Sequence, residues 1–167
     1  FPAPFEDACD AVAWSGGLHP DVPLLVAGDS AGGTLAACVA LWARDTGGSR
    51  LDGQVLVYPA IDDDLDTPSM HAFDGPHITR EDLRVYLERY ASVEGAHSSP
   101  YALPGWAASV AGLPPTILAI PGHDPLRSAE EDYAQRLRDA RASEVSFTCR
   151  RRDGWASAPG VRRVPRP

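Results

Sequence analysis

The chain has no lysine, only three cysteines, no apolar run near the ~20 residues that a membrane-spanning helix needs, and no histidine after His123. Each absence excludes something. Cys9, Cys38 and Cys149 form no C-x-x-C pair and are odd in number, so neither a disulfide framework nor a zinc site is expected. They read as buried or incidental thiols in a reducing compartment. The chain opens Phe1-Pro2-Ala3-Pro4-Phe5-Glu6-Asp7, without the basic start and apolar run of a secretory signal, and a soluble, cytoplasmic protein is expected. It begins with Phe rather than Met, which puts the expected start of the gene product, or of a longer domain, upstream. All fifteen basic residues are arginine, a bias that fits GC-rich bacterial coding better than any chemical need.

What is present fits one domain: 167 residues, 44% of them hydrophobic, are enough to fill a single core. The net charge of -8 is unevenly spread. Residues 150–167 hold six Arg against Asp153 alone, which leaves nine Arg against 22 acids in residues 1–149. An acidic body does not favour nucleic acid. The Arg/Pro-rich end is expected to be a poorly ordered tail. No internal repeat or long low-complexity segment is present.

Short apolar runs alternate with helical patterns, which implies βαβ units and an α/β fold with a mostly parallel sheet. Glu6 to Trp14 carries Ala8, Val12 and Ala13 at helical spacing, a short helix expected to break at Ser15-Gly16-Gly17. Val22 to Ala27 is almost continuously apolar, as in a strand buried on both faces. Thr34 to Arg44 predicts a largely buried helix stopped by Thr46-Gly47-Gly48, and Gln54 to Tyr58 the next strand, ended by Pro59. Residues 60–100 lose periodicity apart from a helix from Arg80 to Tyr90, opened by Thr79 and Asp82 as a capping pair; a lid or cap insertion is expected there. Thr116 to Ile120 reads as another buried strand, followed by the turn Pro121-Gly122-His123-Asp124-Pro125. Ser128 with Glu131 predicts a capping box opening a helix to about Arg141, with Tyr133 and Leu137 inward, and Glu144 to Thr148 alternates like an exposed edge strand.

Between the first strand and its helix lies Gly28-Asp29-Ser30-Ala31-Gly32-Gly33, a G-x-S-x-G pattern. A serine hydroxyl is a poor nucleophile near neutral pH, so it must be held where a base reaches it and where donors receive the developing oxyanion. A Ser on a strained strand-to-helix turn meets that need. Gly28 and Gly32 are expected to remove side chains that would collide there, the helix N-terminus favours negative charge, and the Ala31 N–H is one expected oxyanion donor. The pattern alone is an ordinary Gly/Ser turn; its setting makes Ser30 the candidate nucleophile.

G-D-S-A-G-G, with Y-P-A-I-D at 58–62 and G-H-D-P-L-R-S-A-E-E-D-Y-A-Q-R-L at 122–137, resembles the bacterial hormone-sensitive-lipase family of esterases from about Pro4 to Phe147. The resemblance implies a partial α/β-hydrolase fold over 1–149, with 60–100 as its cap-like insertion. It implies hydrolysis of short-chain carboxylic esters through an acyl-enzyme, with no cofactor and no metal. By the family pattern Asp124, in Asp124-Pro125-Leu126-Arg127, is the acid that orients the histidine. The chain order, Ser before Asp, fits.

The third member should be a histidine in a loop after the last strand, because its pKa lets it accept and return the serine proton. The best alignment lays Asp153-Gly154-Trp155-Ala156-Ser157 over that loop, so Asp153 stands at the histidine position. An exposed carboxylate is too weak a base at pH 7 to replace it well. His19, His71, His77, His97 and His123 are expected in surface or loop roles. The family's H-G-G-G oxyanion loop belongs upstream of this sequence, and Gly16-Gly17 lie in the wrong place to substitute. Losing one oxyanion donor costs about a hundredfold to a thousandfold in turnover. The expectation is therefore a family esterase, acting on a small ester, with impaired turnover.

One alternative is a non-catalytic small-ligand-binding homologue; the plant gibberellin receptor is similar to this family and lacks the catalytic histidine. A pocket needs walls, and missing early strands would leave a sheet edge uncovered. Another is an interaction role for residues 60–100 or the tail, for which neither offers a signature. Homodimers through sheet edges occur in the family, and no sequence signal marks one here.

Overall fold

The computed structural model describes residues 1–149 except 19, 74, 76, 77, 93–95 and 141–143, and for 97 and 144–149 the backbone alone. Its elements are α1 (Ala3–Leu18), β1 (Leu25–Asp29), α2 (Ala31–Thr46), β2 (Gly53–Val57), α3 (Pro68–Ala72), α4 (Arg80–Tyr90), β3 (Thr116–Pro121), α5 (Arg127–Asp139) and β4 (Glu144–Cys149). The four strands form one parallel sheet in the order β1-β2-β3-β4. Parallel neighbours need crossovers, and α2, the long 58–115 excursion and α5 supply them.

One face of the sheet carries the core. Gln54, Leu56, Thr116, Leu118 and Ile120 are buried there, packed with Ala36, Ala37, Ala40 and Leu41 of α2 and Tyr133, Ala134 and Leu137 of α5. The buried Gln54 amide donates to Thr116 Oγ1 at 2.8 Å, tying β2 to β3 inside that core. The opposite face is open among the described residues: Leu25 is 59% and Ile117 44% exposed. The expected strand buried on both faces is thus corrected. It starts at Leu25 rather than Val22 and, among the described residues, lies at the sheet's outer position and is covered on one side only.

α1 is longer than its spacing predicted and runs through Gly16-Gly17. Gly16 has a packing reason to be there, since a Cβ on it would lie 2.9 Å from Ser49 Oγ in the loop before β2. The helix buries only Phe5 and Cys9, against Cys38 and Val39 of α2, with the Phe5 ring stacked on Tyr101 at 5.4 Å. α2 is Ala-rich because it is buried on several sides. It ends where Gly47, at φ 64, lets its N–H turn back to Ala43 O, at the predicted Thr46-Gly47-Gly48 stop.

The excursion after β2 holds the predicted helix α4. Its capping box is complete: Thr79 Oγ1 accepts the Asp82 N–H, and the Asp82 carboxylate accepts the Thr79 N–H at 3.0 Å. The second expected capping box is absent. α5 begins at Arg127 with Leu126 at the cap, and Ser128 lies inside the helix with its hydroxyl used elsewhere. The expected poorly ordered tail, 150–167, lies outside the described residues.

Candidate active site

β1 leads straight into α2 through one residue, Ser30, whose φ of 51° and ψ of -125° fall where L side chains are strained. Its N–H donates to Val57 O at 2.9 Å, extending the β1–β2 ladder by one bond before the helix starts. Gly28 makes this turn possible. A Cβ there would overlap the Gly32 carbonyl and lie 2.7 Å from the Gly33 nitrogen. Gly32 does not share that demand, because a Cβ on it meets nothing within 4 Å. The second tight position is Gly33, where a Cβ would lie 3.0 Å from Gly28 O and 3.2 Å from the Pro59 Cβ. The expectation for Gly28 and Gly32 is corrected to Gly28 and Gly33.

The Ser30 residue is exposed, and its hydroxyl bonds to no described residue. As first-turn groups, the N–H of Ala31 and of Gly32 have no intrahelical acceptor, and no acidic residue occupies that turn to compete for an incoming anion. The start of α2 therefore offers a free hydroxyl beside free amide donors.

Asp124 follows β3 as Ser30 follows β1, so both sit at the carboxyl ends of parallel strands with β2 between them. Two strand spacings put these strand ends roughly 10 Å apart. Asp124 Oδ1 accepts the Leu126 N–H at 2.8 Å, which holds the carboxylate within its own turn. Burial pushes its carboxyl above the ordinary Asp value, and the Leu126 bond offsets part of that. Arg127 closes the turn from behind, donating to Gly122 O at 2.9 Å with its guanidinium 5.2 Å from the Phe73 ring centre. His123 is exposed and packs on Phe73 at 5.2 Å, with no hydrogen bond to Asp124. His71 bonds Asp66 at 2.8 Å. His19, His77, the His97 side chain and Asp153 lie outside the described residues.

Two contributors escaped sequence reasoning. Ser69 of α3, fully buried, accepts the Ser128 N–H at 2.9 Å and donates to Pro125 O at 2.6 Å, while Ser128 Oγ accepts the Ser69 N–H at 3.1 Å. This reciprocal clasp fastens the excursion to the Asp124 turn. Beside it a cleft opens between Leu65, Met70, Leu83, Leu87 and Leu126. The signal in sequence was misleading, since Ser128 looks like a helix cap.

The second is Glu130, fully buried on α5 with neither carboxylate oxygen hydrogen-bonded. Burial first, then the charges of Asp124 and Glu131, push its carboxyl up to about 9. The folded chain keeps a proton that the unfolded chain releases near the ordinary Glu value, so the contribution is full at acid pH and is lost as pH rises toward 9. Urea unfolding of Glu130→Gln at pH 5, 7 and 8.5 should show the variant gaining on the native chain as pH rises, by on the order of 4 kcal/mol across the series. A constant difference would contradict this.

Among the described residues, no three His, Cys, Asp or Glu side chains gather as a metal site. Cys9 and Cys38 are free and buried, and burial pushes the Cys9 thiol up to about 11 and the Cys38 thiol further, so neither is a thiolate nucleophile near neutrality. No described helix is long and apolar enough to cross a membrane.

Residues 1–154 match the family described as alpha/beta hydrolase fold. Esterase LipI of Mycobacterium tuberculosis is 37% identical over 144 residues, covering 82% of this chain and 45% of the relative. Carboxylesterase NlhH of the same species is 34% identical over 152 residues, covering 86% and 48%. Among solved structures, the hyperthermophilic esterase from Pyrobaculum calidifontis superposes with a TM-score of 0.83 at 36% identity, covering 89% of this chain and 52% of that one. The chain spans about half the length of the curated relatives it matches. In sequence and in architecture it belongs to the alpha/beta hydrolase fold family.

Proposed function

We propose that this chain carries the nucleophile, Ser30, and the acid, Asp124, of a serine carboxylesterase whose turnover is impaired because Asp153 stands at the histidine position. The observation that carries the reading is the strained Ser30 at the head of α2, its hydroxyl bonded to no described residue, beside first-turn amides that have no intrahelical acceptor. In the complete reaction the Ser30 Oγ attacks the ester carbonyl and its proton passes to a general base. The Ala31 N–H shares the negative charge of the carbonyl oxygen, the alcohol leaves with the proton, and water then releases the acid from Ser30.

Asp124 serves this sequence by orienting an imidazole and supporting its charge. A carboxylate at 153 accepts the serine proton poorly, because its conjugate acid is far too strong at pH 7. Residues 60–100 act as the cap. The relatives' names support the ester as the substrate class, LipI being an esterase and NlhH a carboxylesterase.

The test is labelling with a fluorophosphonate probe, with the modified peptide identified by mass spectrometry. Slow labelling at Ser30, abolished in Ser30→Ala, is the expected result. Labelling as fast as that of an intact family esterase would sink the impairment. No labelling at all, joined with saturable binding of a non-hydrolysable short-chain ester analogue, would favour the non-catalytic alternative.

A further inference from the structure

We infer that the turn Tyr58-Pro59-Ala60 is a brace for the Ser30 elbow, with Thr34 as the positioning residue that locks the two together. Among the described residues only two besides glycine have positive φ: Ser30 at 51° and Tyr58 at 40°. For a bulky residue such as Tyr that backbone is a genuine outlier, and it persists only where the surroundings over-determine it.

The two strained residues meet across one peptide group. The carbonyl of Val57 accepts the Ser30 N–H at 2.9 Å, and the N–H of Tyr58, on the other side of the same peptide, donates to Ala119 O at 3.0 Å. This peptide is the last rung of β2 on both sides. Beyond it a relaxed backbone would continue along the strand, away from α2. At φ 40° the chain turns back over the head of α2 instead.

Two contacts then close the brace. Pro59 comes so near that a Cβ on Gly33 would lie 3.2 Å from its Cβ. Ala60 O receives the Thr34 hydroxyl at 2.9 Å, a shorter bond than the 3.3 Å separating that hydroxyl from Ser30 O. Thr34 N–H also donates to Ser30 O at 3.0 Å. Thr34 is buried, so its hydroxyl has no water to fall back on if the Ala60 bond is lost. One residue thereby grips, through its N–H, the carbonyl of the strained serine and, through its hydroxyl, the far end of the strained turn. The catalytic meaning of the brace rests on Ser30 being the nucleophile; its existence does not.

Amide hydrogen exchange by NMR on the full 167-residue chain separates the two. Thr34→Val keeps the shape and removes the hydroxyl. The Ser30 amide should exchange at least about tenfold faster, while the Leu41 amide in the middle of α2 stays at its native rate. Thr34→Ser should restore Ser30 protection. If Thr34→Val does not fold, Thr34→Ala takes its place with the same expectation. An unchanged Ser30 rate, a Ser30 change matched at Leu41, or failed rescue by Ser overturns the brace. None of these readings depends on whether Ser30 is acylated, so failure of the brace and failure of the esterase reading are distinguishable.

Discussion

Gly28→Ala should cost at least about 3 kcal/mol of stability or prevent folding, whereas Gly32→Ala should leave stability unchanged or raise it by up to ~1 kcal/mol. The two glycines look equivalent in a G-x-S-x-G pattern. Their surroundings differ. The atoms that a Cβ on Gly28 would strike are all backbone of Gly32 and Gly33, in the first turn of α2, and none can move without breaking the elbow. At Gly32 a Cβ meets open space, and Ala is the better helix former, so the entropy that Gly loses on folding is recovered. Urea unfolding followed by circular dichroism at pH 7 checks both. A native-like Gly28→Ala, or a Gly32→Ala destabilised as much as Gly28→Ala, would mean that the elbow is not closed as described.

The order of elements was legible in sequence because each apolar run, glycine break and capping signal acts locally. The Thr79 and Asp82 pair opens α4 as expected, and Gly28 proved to be as constrained as the motif implies. What could not be read depends on residues far apart in the chain. Ser128 carries the local signature of a cap, but Ser69, 59 residues away, bonds its hydroxyl and its N–H. Gly16-Gly17 reads as a break, yet α1 runs through both to Leu18, and a Cβ on Gly16 would lie 2.9 Å from Ser49 Oγ of a loop 33 residues on. The run at 22–27 reads as doubly buried because a strand apolar on both faces belongs to a sheet layered on both sides. The described residues provide one layer. Tyr58 gave no signal at all, since its strain exists only once β2 has ended beside Ser30.

The candidate site was legible to the extent that its chemistry is written in contiguous residues. Ser30 with its glycines and Asp124 with Pro125 and Leu126 are each short, local patterns, and the parallel order of β1, β2 and β3 brings their strand ends to one edge of the sheet. Glu130 stayed invisible because a glutamate in an amphipathic helix is ordinarily exposed. Its burial follows from the rotation of α5 that also turns Tyr133 and Leu137 inward.

The largest catalytic effect expected is a gain. If Asp153 stands at the histidine position, Asp153→His supplies a base whose pKa lies near neutrality, and positioned general-base catalysis is worth about a hundredfold to ten-thousandfold. The carboxyl of Asp124, lifted by burial, should fall when an imidazolium is placed against it, which strengthens the pair. Both polypeptides share the same oxyanion donors, so their ratio isolates the base. The rise should follow the deprotonation of a histidine, increasing through about pH 6–7 and levelling above it. Asp124→Asn in the Asp153→His background should remove most of the gain while leaving Ser30 exposed.

The decisive measurement is the second-order rate of Ser30 acylation by a fluorophosphonate in Asp153→His relative to the native chain at pH 7.5. A gain of at least about a hundredfold, confined to the Ser30 peptide, is the result predicted. An unchanged rate, or a native chain that already reacts as fast as the variant, would contradict it.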